Sequence, residues 1–296
     1  MILPGVAMVA DIISVFARKP AFGYKTSIGS MLAIVFLGFL VWGHHLYIAG
    51  MNPYLGVAFS ILTATVGVPS GVLVFNILAT LWRGSIRPTA AMLSACGVLI
   101  IFVTGGLTGL INAMSALDIY VHDTYWVVAH FHFVVGGASV FSVFAGVYYW
   151  FPKMFGRRMN ERLAKIHVVL SFAAFYAVFF TMHILGIGGM QRRIAEPQVY
   201  DYLKPLQATQ VAITWAAFAL GAVQLLFMGN FFWSLFRGPK AEANPWGATT
   251  LEWATSSPPP HENFREIPEV HRWAYDYSLP GAPADFVPQT EPGVNA

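Results

Sequence analysis

The apolar stretch HDTYWVVAHFHFVV, residues 122–135, indicates both the fold class and the chemistry of this chain. It opens a run, residues 124–152, that contains no Asp, Glu, Lys or Arg and is long enough to cross a bilayer as a helix. Polar groups are costly at membrane depth, so His130 and His132 suggest metal binding or proton chemistry. Residues two apart on an α-helix differ by about 200° around its axis, so the two rings face opposite sides. The pattern predicts a helix between two cofactors; the alternative is two buried histidines bonded to neighbouring helices.

The composition is that of an integral membrane protein. Hydrophobic residues make up 56% of the chain and charged residues only 10%, whereas soluble domains have about 25% charged residues. The net charge of +3 is too small and too scattered to indicate nucleic-acid binding. Cys96 is the single cysteine, which excludes an intrachain disulfide and any cysteine-based metal cluster. We expect it to be a small core residue.

Six apolar segments each approach or exceed the ~20 residues that a helix needs to span the hydrocarbon core. They are predicted at residues 27–49, 55–82, 90–114, 124–151, 163–187 and 208–236. Residues 2–17 form a shorter apolar piece, which we interpret as the second half of a helix; an interfacial helix is the alternative. Residues 1–237 are predicted to form the membrane domain, and residues 238–296 a proline-rich, mostly irregular tail.

The distribution of Lys and Arg predicts the orientation. If the loop after residues 2–17 is cytoplasmic, 14 of the 17 basic residues and the tail lie on the cytoplasmic side. Arg192, Arg193 and Lys204 lie on the opposite side. Arg192 and Arg193 form either a solvated pair or a clamp for anionic groups, because arginine makes bidentate bonds to carboxylates.

Further histidines extend the pattern. His44 and His45 are neighbours near the outer end of the first span. Neighbouring positions on a helix differ by about 100°, so both rings can reach one metal ion. The alternative is a pair of histidines at the membrane interface. His122 and Asp123 precede the fourth span, where Asp123 either caps the helix or helps to bind a divalent cation. Spacing alone favours the cap. His167 and His183 are expected to be structural.

These motifs resemble subunit I of the haem–copper oxidases, and cytochrome c oxidase most closely. The similarity covers essentially the whole chain in order and includes ILPG at 2–5, WGHH at 42–45, VTGGLTG at 103–109, the 122–132 motif and GMQRR at 189–193. It implies an all-α membrane protein whose six full transmembrane helices and partial N-terminal helix belong to a twelve-helix bundle.

The resemblance also implies cofactors and site residues: two haems, the copper ion CuB and a Mg²⁺ ion. His44 and His45 would bind CuB, His130 the high-spin haem and His132 the low-spin haem, with Phe131 between the haems. His122 and Asp123 would help to form the magnesium site, near Asp118, and Arg192 and Arg193 would pair with haem propionates. The implied reaction is the reduction of O₂ to water by electrons from cytochrome c, coupled to proton translocation.

The resemblance further implies partners and a location: subunits II and III, the lipid bilayer, and the bacterial inner membrane. In the family, the third copper-binding histidine precedes the ILPG match, and the second axial ligand of the low-spin haem lies earlier still. We therefore expect the chain to be the C-terminal half of a subunit I, whose N-terminal half is a partner.

One departure concerns proton uptake. Many family members have a lysine where this chain has Leu73, and leucine carries no proton, so Asp11, Ser70 and water are the candidates for a substitute route. The alternatives to a cytochrome c oxidase are a quinol oxidase, a related nitric oxide reductase, a non-catalytic haem-binding scaffold and a proton-coupled transporter.

Overall fold

A computed structural model describes residues 2–292, so Met1 and the last tail residues, 293–296, lie outside the described part of the chain. The α-helices are α1 (Ile2–Ala17), α2 (Tyr24–Leu40), α3 (Pro53–Thr65), α4 (Gly67–Leu81), α5 (Ala90–Ala113), α6 (Ser115–Val121), α7 (Tyr125–Phe131), α8 (Ala138–Phe155), α9 (Glu161–Ile187) and α10 (Gln207–Arg237). A π-helical segment, His132–Gly137, joins α7 to α8.

The prediction of six membrane-crossing helices is confirmed. Six helical units among the described residues are long and apolar enough to cross a membrane: Tyr24–Leu46, Pro53–Leu81, Ala90–Ala113, Tyr125–Phe155, Glu161–Ile187 and Asp201–Arg237. The predicted limits agree most closely for α5 and α10, whose ends differ from prediction by at most one residue. Hydropathy locates such helices well because the backbone in lipid must satisfy its own hydrogen bonds.

Three spans are less regular than the sequence pattern predicted. The first ends in a 3₁₀ turn, Trp42–Leu46, and the second is divided at Val66 into α3 and α4. Pro69 lies in the first turn of α4, where its missing N–H and its ring disrupt the bonding of a continuous helix. The fourth contains the π-helical segment, and such segments occur frequently at functional sites.

Helix α1 lies in the core and not at an interface. Its C-terminal half is buried, including Ile12, Ile13 and Phe16, and it packs against α4, α5 and α8. These side chains belong to one hydrophobic cluster with residues of α5 and α8 such as Ala95 and Phe141. The interfacial alternative for residues 2–17 is therefore wrong.

The tail, here residues 238–292, covers one end of the bundle and is held there by basic side chains. Lys153 donates hydrogen bonds to the carbonyl oxygens of Ala243, Thr255 and Ser256. Arg18, which has a left-handed φ of 54°, is buried and donates to the carbonyl of Gly247. The basic residues at this end thus anchor the tail to the bundle.

Large apolar side chains remain exposed on the outer helices. Phe39 of α2, Tyr54 of α3, and Trp215 and Phe236 of α10 are all more than half exposed. Such continuous apolar surface is stable against lipid or protein but not against water.

Candidate metal and cofactor site

A cavity of about 690 Å³ lies among the first four spans and brings most of the predicted site residues together. Predicted site residues that line it are His44, His45, Asp118, His122, Asp123, His130, Phe131 and Arg192. Apolar side chains from α2, α4 and α5, such as Ile34, Val74 and Leu107, form much of the remaining wall. The cavity therefore has an apolar body with histidines and a cluster of charged groups.

His44 and His45 converge on one point of this cavity. Their Nε2 atoms are 3.0 Å apart, and the hydroxyl of Thr63 lies 3.2 Å from Nδ1 of His44. The two residues occupy the 3₁₀ turn and not a regular α-helix, so the predicted α-helical setting is wrong while the predicted convergence is observed. Paired imidazoles with a hydrogen bond that orients one ring are suited to copper, zinc or iron.

His130 presents its Nε2 atom as a lone-pair donor. Its Nδ1–H donates to the carbonyl oxygen of Gly105 at 3.0 Å, and the hydroxyl of Thr108 lies 3.2 Å from Nδ1. Because a carbonyl can only accept, the proton is on Nδ1 and Nε2 is free in the neutral ring. Gly109 lets the ring approach α5, since a Cβ atom there would lie 2.8 Å from Cε1 of His130.

His132 points to a different neighbour. Its Nδ1–H donates to the carbonyl oxygen of Val128 at 2.7 Å, so its Nε2 is also free, and its ring stacks on Phe179 of α9 at 4.2 Å. His130 therefore faces α5 and His132 faces α9. The separation predicted from helical geometry is present although the π-helical segment begins at His132.

Phe131 lies between these two histidines in sequence and also borders the cavity. Its ring is 4.6 Å from the ring of His132, and 39% of the side chain is exposed. An aromatic ring that is free on one side can pack against a planar cofactor.

A charged cluster closes one end of the cavity. The Nδ1–H of His122 donates to Oδ2 of Asp118 at 2.6 Å, and Arg192 forms an ion pair with Asp123. Burial raises the pKa of the Asp118 carboxyl group, and the hydrogen bond from His122 opposes that shift. A carboxylate, an imidazole and an arginine are together suited to a divalent cation or to carboxylate groups of a ligand.

The backbone brings these charged residues together from two loops. Tyr125 donates its N–H to the carbonyl of Met190 at 2.9 Å, and Arg192 donates to the carbonyl of Asp123 at 2.8 Å. Thr124 is the residue that caps α7, because its hydroxyl accepts from the N–H of Trp126. The interpretation of Asp123 as the helix cap is therefore wrong, and Asp123, with a left-handed φ of 56°, binds Arg192 instead.

The two arginines of the loop have different positions. Arg192 lines the cavity, whereas Arg193, with a left-handed φ of 67°, is not among the cavity-lining residues of the described chain. Of the predicted pair, the structure thus brings only Arg192 to the charged cluster.

The remaining intramembrane histidines lie in packed surroundings. His167 is fully buried, bonded through Nδ1 to the hydroxyl of Tyr148 at 2.9 Å and through Nε2 to Gln224 at 3.1 Å. His183 donates through Nδ1 to Phe180 and packs edge-on against Trp126. Both arrangements agree with the expected structural roles.

His44 and His45 supply only part of the ligand set that a metal ion needs. Within residues 2–292, no group of three or more His, Cys, Asp or Glu residues lies close enough to hold a metal ion. His44 and His45 supply two nitrogen ligands, and copper, zinc and iron need at least a third.

Sequence reasoning missed several residues that orient the histidines. Thr63 contacts His44, Thr108 contacts His130, and Phe179 stacks on His132. The VTGGLTG motif was a usable signal for Thr108, because its glycines permit close approach to α5. Thr63 and Phe179 belong to apolar helices without a distinguishing local pattern.

Comparison with known proteins identifies the family. Residues 1–249 match the family described as "Cytochrome C and Quinol oxidase polypeptide I". The chain is 44% identical over 293 residues to the alternative cytochrome c oxidase subunit 1 of Bradyrhizobium diazoefficiens, covering 98% of this chain and 50% of that protein. It is 47% identical over 279 residues to cytochrome c oxidase subunit 1 of Synechocystis sp., covering 94% and 50%.

A solved structure, described as a haem–copper terminal oxidase dimer, shares the fold with a TM-score of 0.67 at 18% identity. The alignment covers 81% of this chain and 49% of that one. The chain thus spans about half the length of the relatives it matches, as expected for half of a subunit I. It belongs to the subunit I family of the haem–copper cytochrome c and quinol oxidases.

Proposed function

We propose that this chain is the part of a terminal respiratory oxidase that carries the paired copper ligands and one axial ligand for each of two haems. The observation that carries the proposal is the convergence of the His44 and His45 Nε2 atoms, 3.0 Å apart, in a cavity that His130 also lines. The family resemblance implies O₂ reduction to water, with electrons from cytochrome c.

Each cofactor has a proposed set of residues. His44 and His45 would hold CuB, His130 would hold the high-spin haem, His132 would hold the low-spin haem, and Phe131 would pack against the haems. When bound, the haem irons and the copper ion supply the electron transfer and the reductive chemistry. The third copper ligand and the second axial ligand come from the N-terminal half of the subunit.

The chain's own residues fix the ligands and keep the cavity dry. The Nδ1–H bonds of His130 and His132 to backbone carbonyls select the tautomer and prevent ring rotation. The hydroxyl of Thr63, 3.2 Å from Nδ1 of His44, restrains that ring without fixing which of its nitrogens carries the proton. The apolar walls exclude water, which strengthens electrostatic interactions inside the cavity.

The charged cluster has a separate proposed role in holding anions and a cation. Arg192 would pair with haem propionates; the family resemblance implies the same for Arg193, which is not among the cavity-lining residues of the described chain. His122 and Asp123 would help to bind Mg²⁺, and Asp118 orients His122 through their 2.6 Å hydrogen bond. Burial raises the pKa of the Asp118 carboxyl group, and that hydrogen bond acts against the shift.

Proton coupling and location complete the proposal. The distribution of basic residues supports a cytoplasmic tail, and we propose the bacterial inner membrane as the location and subunits II and III as partners. Leu73 is buried and apolar, so protons use another route. Ser70 lies about one helical turn before Leu73 and lines the cavity. We assign its hydroxyl group to that proton route.

Co-expression with an N-terminal half from a related subunit I tests the function. We expect the assembled protein to bind two haems and one copper and to consume O₂ with reduced cytochrome c as donor. If the assembled protein oxidised quinol but not cytochrome c, quinol would be the electron donor instead of cytochrome c. Non-haem iron in place of copper would indicate a nitric oxide reductase. Bound haem without O₂ consumption would indicate a non-catalytic scaffold. The absence of a Soret band would indicate a transporter.

A further inference from the structure

Four exposed basic side chains gather at one corner of the tail-covered end of the bundle, here called the basic corner. They are Arg158 in the loop after α8, Arg162 in the first turn of α9, Arg237 at the end of α10 and Lys240 just beyond it. Within residues 2–292, none of the four forms an ion pair with an acidic side chain. By contrast, Arg87 at the same end of the bundle pairs with Asp285.

The backbone fixes the positions of these charges. The N–H of Arg158 donates to the carbonyl of Pro239 at 2.9 Å, which joins the loop after α8 to the chain after α10. Gly238 fits so closely against this loop that a Cβ atom there would lie 2.6 Å from the carbonyl oxygen of Arg158. Asn160 and Asn230 exchange two hydrogen bonds of 3.0 Å, which join the start of α9 to α10. The basic corner is therefore a built feature and not a set of unrelated surface residues.

The acidic residues beside the basic corner do not balance its charge. Residues 156–165 and 237–242 include six basic and two acidic residues, a net charge of +4. Of the two acids, Glu161 is already engaged, because its Oε1 atom accepts from the N–H of Ala90 at 2.7 Å. Glu242 is exposed and forms no ion pair within residues 2–292. An excess of positive charge of this kind attracts an anion from outside the chain.

Arg158 is held in a position that leaves its N–H groups available. Its guanidinium carbon lies 5.6 Å from the ring centre of Trp246. Such stacking occupies one face of the guanidinium plane, and the N–H groups at the edge of the plane stay free to donate. Paired arginine N–H groups match two oxygens of a phosphate and bind it through parallel hydrogen bonds. Phosphate is therefore the anionic group that this corner suits.

Exposed apolar side chains continue from the basic corner along the two spans that end there. Trp233 and Phe236 of α10 are more than half exposed, and Leu163 and Ile166 in the first turns of α9 are exposed as well. Both helices are long and apolar enough to cross the membrane, so the basic corner lies at headgroup depth. A soluble phosphate compound would contact only the charges, whereas a phospholipid contacts the charges and the apolar surface.

We propose that the basic corner binds the headgroup phosphate of an anionic phospholipid in the leaflet on the tail side of the membrane, with its acyl chains along the exposed apolar side chains of α9 and α10. Basic pockets at the ends of membrane helices bind such headgroups. A zwitterionic headgroup carries its own cation, which these basic side chains repel. The lipid site is separate from the histidine cavity, whose lining includes none of the four residues, and it does not depend on oxidase activity.

Photo-crosslinking of the detergent-isolated oxidase complex tests the proposal at this corner specifically. The probes are phosphatidylglycerol and phosphatidylcholine that carry a diazirine in one acyl chain, and peptide mass spectrometry reads the labelling of residues 232–237. We expect phosphatidylglycerol to reach half-maximal labelling at a concentration about tenfold lower than phosphatidylcholine does. Arg158→Gln combined with Arg162→Gln should raise that concentration about 25-fold for phosphatidylglycerol, because each basic residue near the membrane surface contributes about fivefold.

The matched control removes two charges elsewhere on the same side of the chain. Lys25→Gln combined with Arg265→Gln changes two exposed basic residues outside the corner and should leave the labelling of residues 232–237 unchanged. If the Arg158 variant does not assemble because the contact with Trp246 is lost, Arg162→Gln combined with Arg237→Gln replaces it, with the same expected loss.

Three results would overturn the proposal. The first is equal labelling by the two lipids in the native complex, and the second is an equal loss in the corner variant and the control. The third is the absence of labelling by either lipid, which would show that protein and not lipid covers this corner.

Discussion

Replacement of Arg18 by leucine tests how the tail is held on the bundle. Nη1 of Arg18 donates to the carbonyl of Gly247 at 2.5 Å, and Nη2 donates to the carbonyl of Trp246. The guanidinium carbon lies 5.7 Å from the ring centre of Tyr277 and 5.8 Å from that of Phe286. Only 1% of the side chain is exposed. Leucine keeps an apolar side chain near the backbone but removes both donors, the charge and the contact of the guanidinium with the two rings.

The expected loss follows from the two hydrogen bonds. Hydrogen bonds from a charged group stabilise by about 1.5–3 kcal/mol each, so losing two costs about 3–6 kcal/mol. Asp285, 3.4 Å from Nε of Arg18, keeps its second partner Arg87 at 2.5 Å, so the ion pair adds little to this loss. A loss of about 3 kcal/mol raises the fraction of opened tail about 150-fold.

Hydrogen exchange of tail amides measures this opening. Val287 donates its N–H to Asp276 at 3.2 Å, and Gln289 donates to Thr249 at 3.0 Å, so both amides are protected only while the tail is folded. We expect exchange at both sites to accelerate about 100-fold or more in Arg18→Leu.

The matched control is Arg87→Leu, because Arg87 pairs with the same aspartate, Asp285. Arg87 is about half exposed, and exposed ion pairs stabilise by less than about 1 kcal/mol, which corresponds to less than about fivefold in exchange. If hydrogen exchange accelerated equally in the Arg18 and Arg87 variants, or in neither, this would refute the reasoning that buried hydrogen bonds from Arg18 to backbone carbonyls hold the tail.

Three further changes test the site in the assembled protein. Gly109→Ala places a methyl group 2.8 Å from the His130 ring and should remove the high-spin haem spectrum, whereas Gly221→Ala on α10, outside the cavity lining and with nothing within 4 Å, should retain it; equal spectra would contradict this. Thr63→Ala should weaken copper binding about 10- to 100-fold in chelator competition, because the hydrogen bond that orients a copper ligand is lost, and unchanged affinity would exclude that role. Ser70→Ala should slow proton uptake several-fold in a stopped-flow pH assay, and an unchanged rate would remove Ser70 from the proton route.

Hydropathy predicted the spans because a bilayer imposes length and apolarity on any helix that crosses it. The break at Val66 had a local signal in Gly67 and Pro69, which the prediction of one continuous span at residues 55–82 did not use. The π-helical segment had a weaker local signal in the sequence. It depends on packing, since a Cβ atom on Gly137 would lie 2.3 Å from the ring of Phe175 on α9.

The candidate site was predictable only in part. Helical angles indicated that His130 and His132 face different neighbours, and the structure shows them facing α5 and α9. The pairing of Asp123 with Arg192 depends on a contact between loops almost 70 residues apart, for which spacing along the chain carries no information. The contacts of Arg18 and Lys153 with the tail were equally unpredictable from the sequence, because these side chains bind backbone carbonyls and not particular side chains.

The central claim is that one helical unit carries the axial ligands of two different haems. Optical spectra and metal analysis of the assembled complex, compared for the native protein, His130→Ala and His132→Ala, test it most directly. We predict two haems and one copper in the native protein, loss of only the high-spin haem in His130→Ala, and loss of only the low-spin haem in His132→Ala. Loss of the same haem in both variants, or a native complex with a single haem, would contradict the claim.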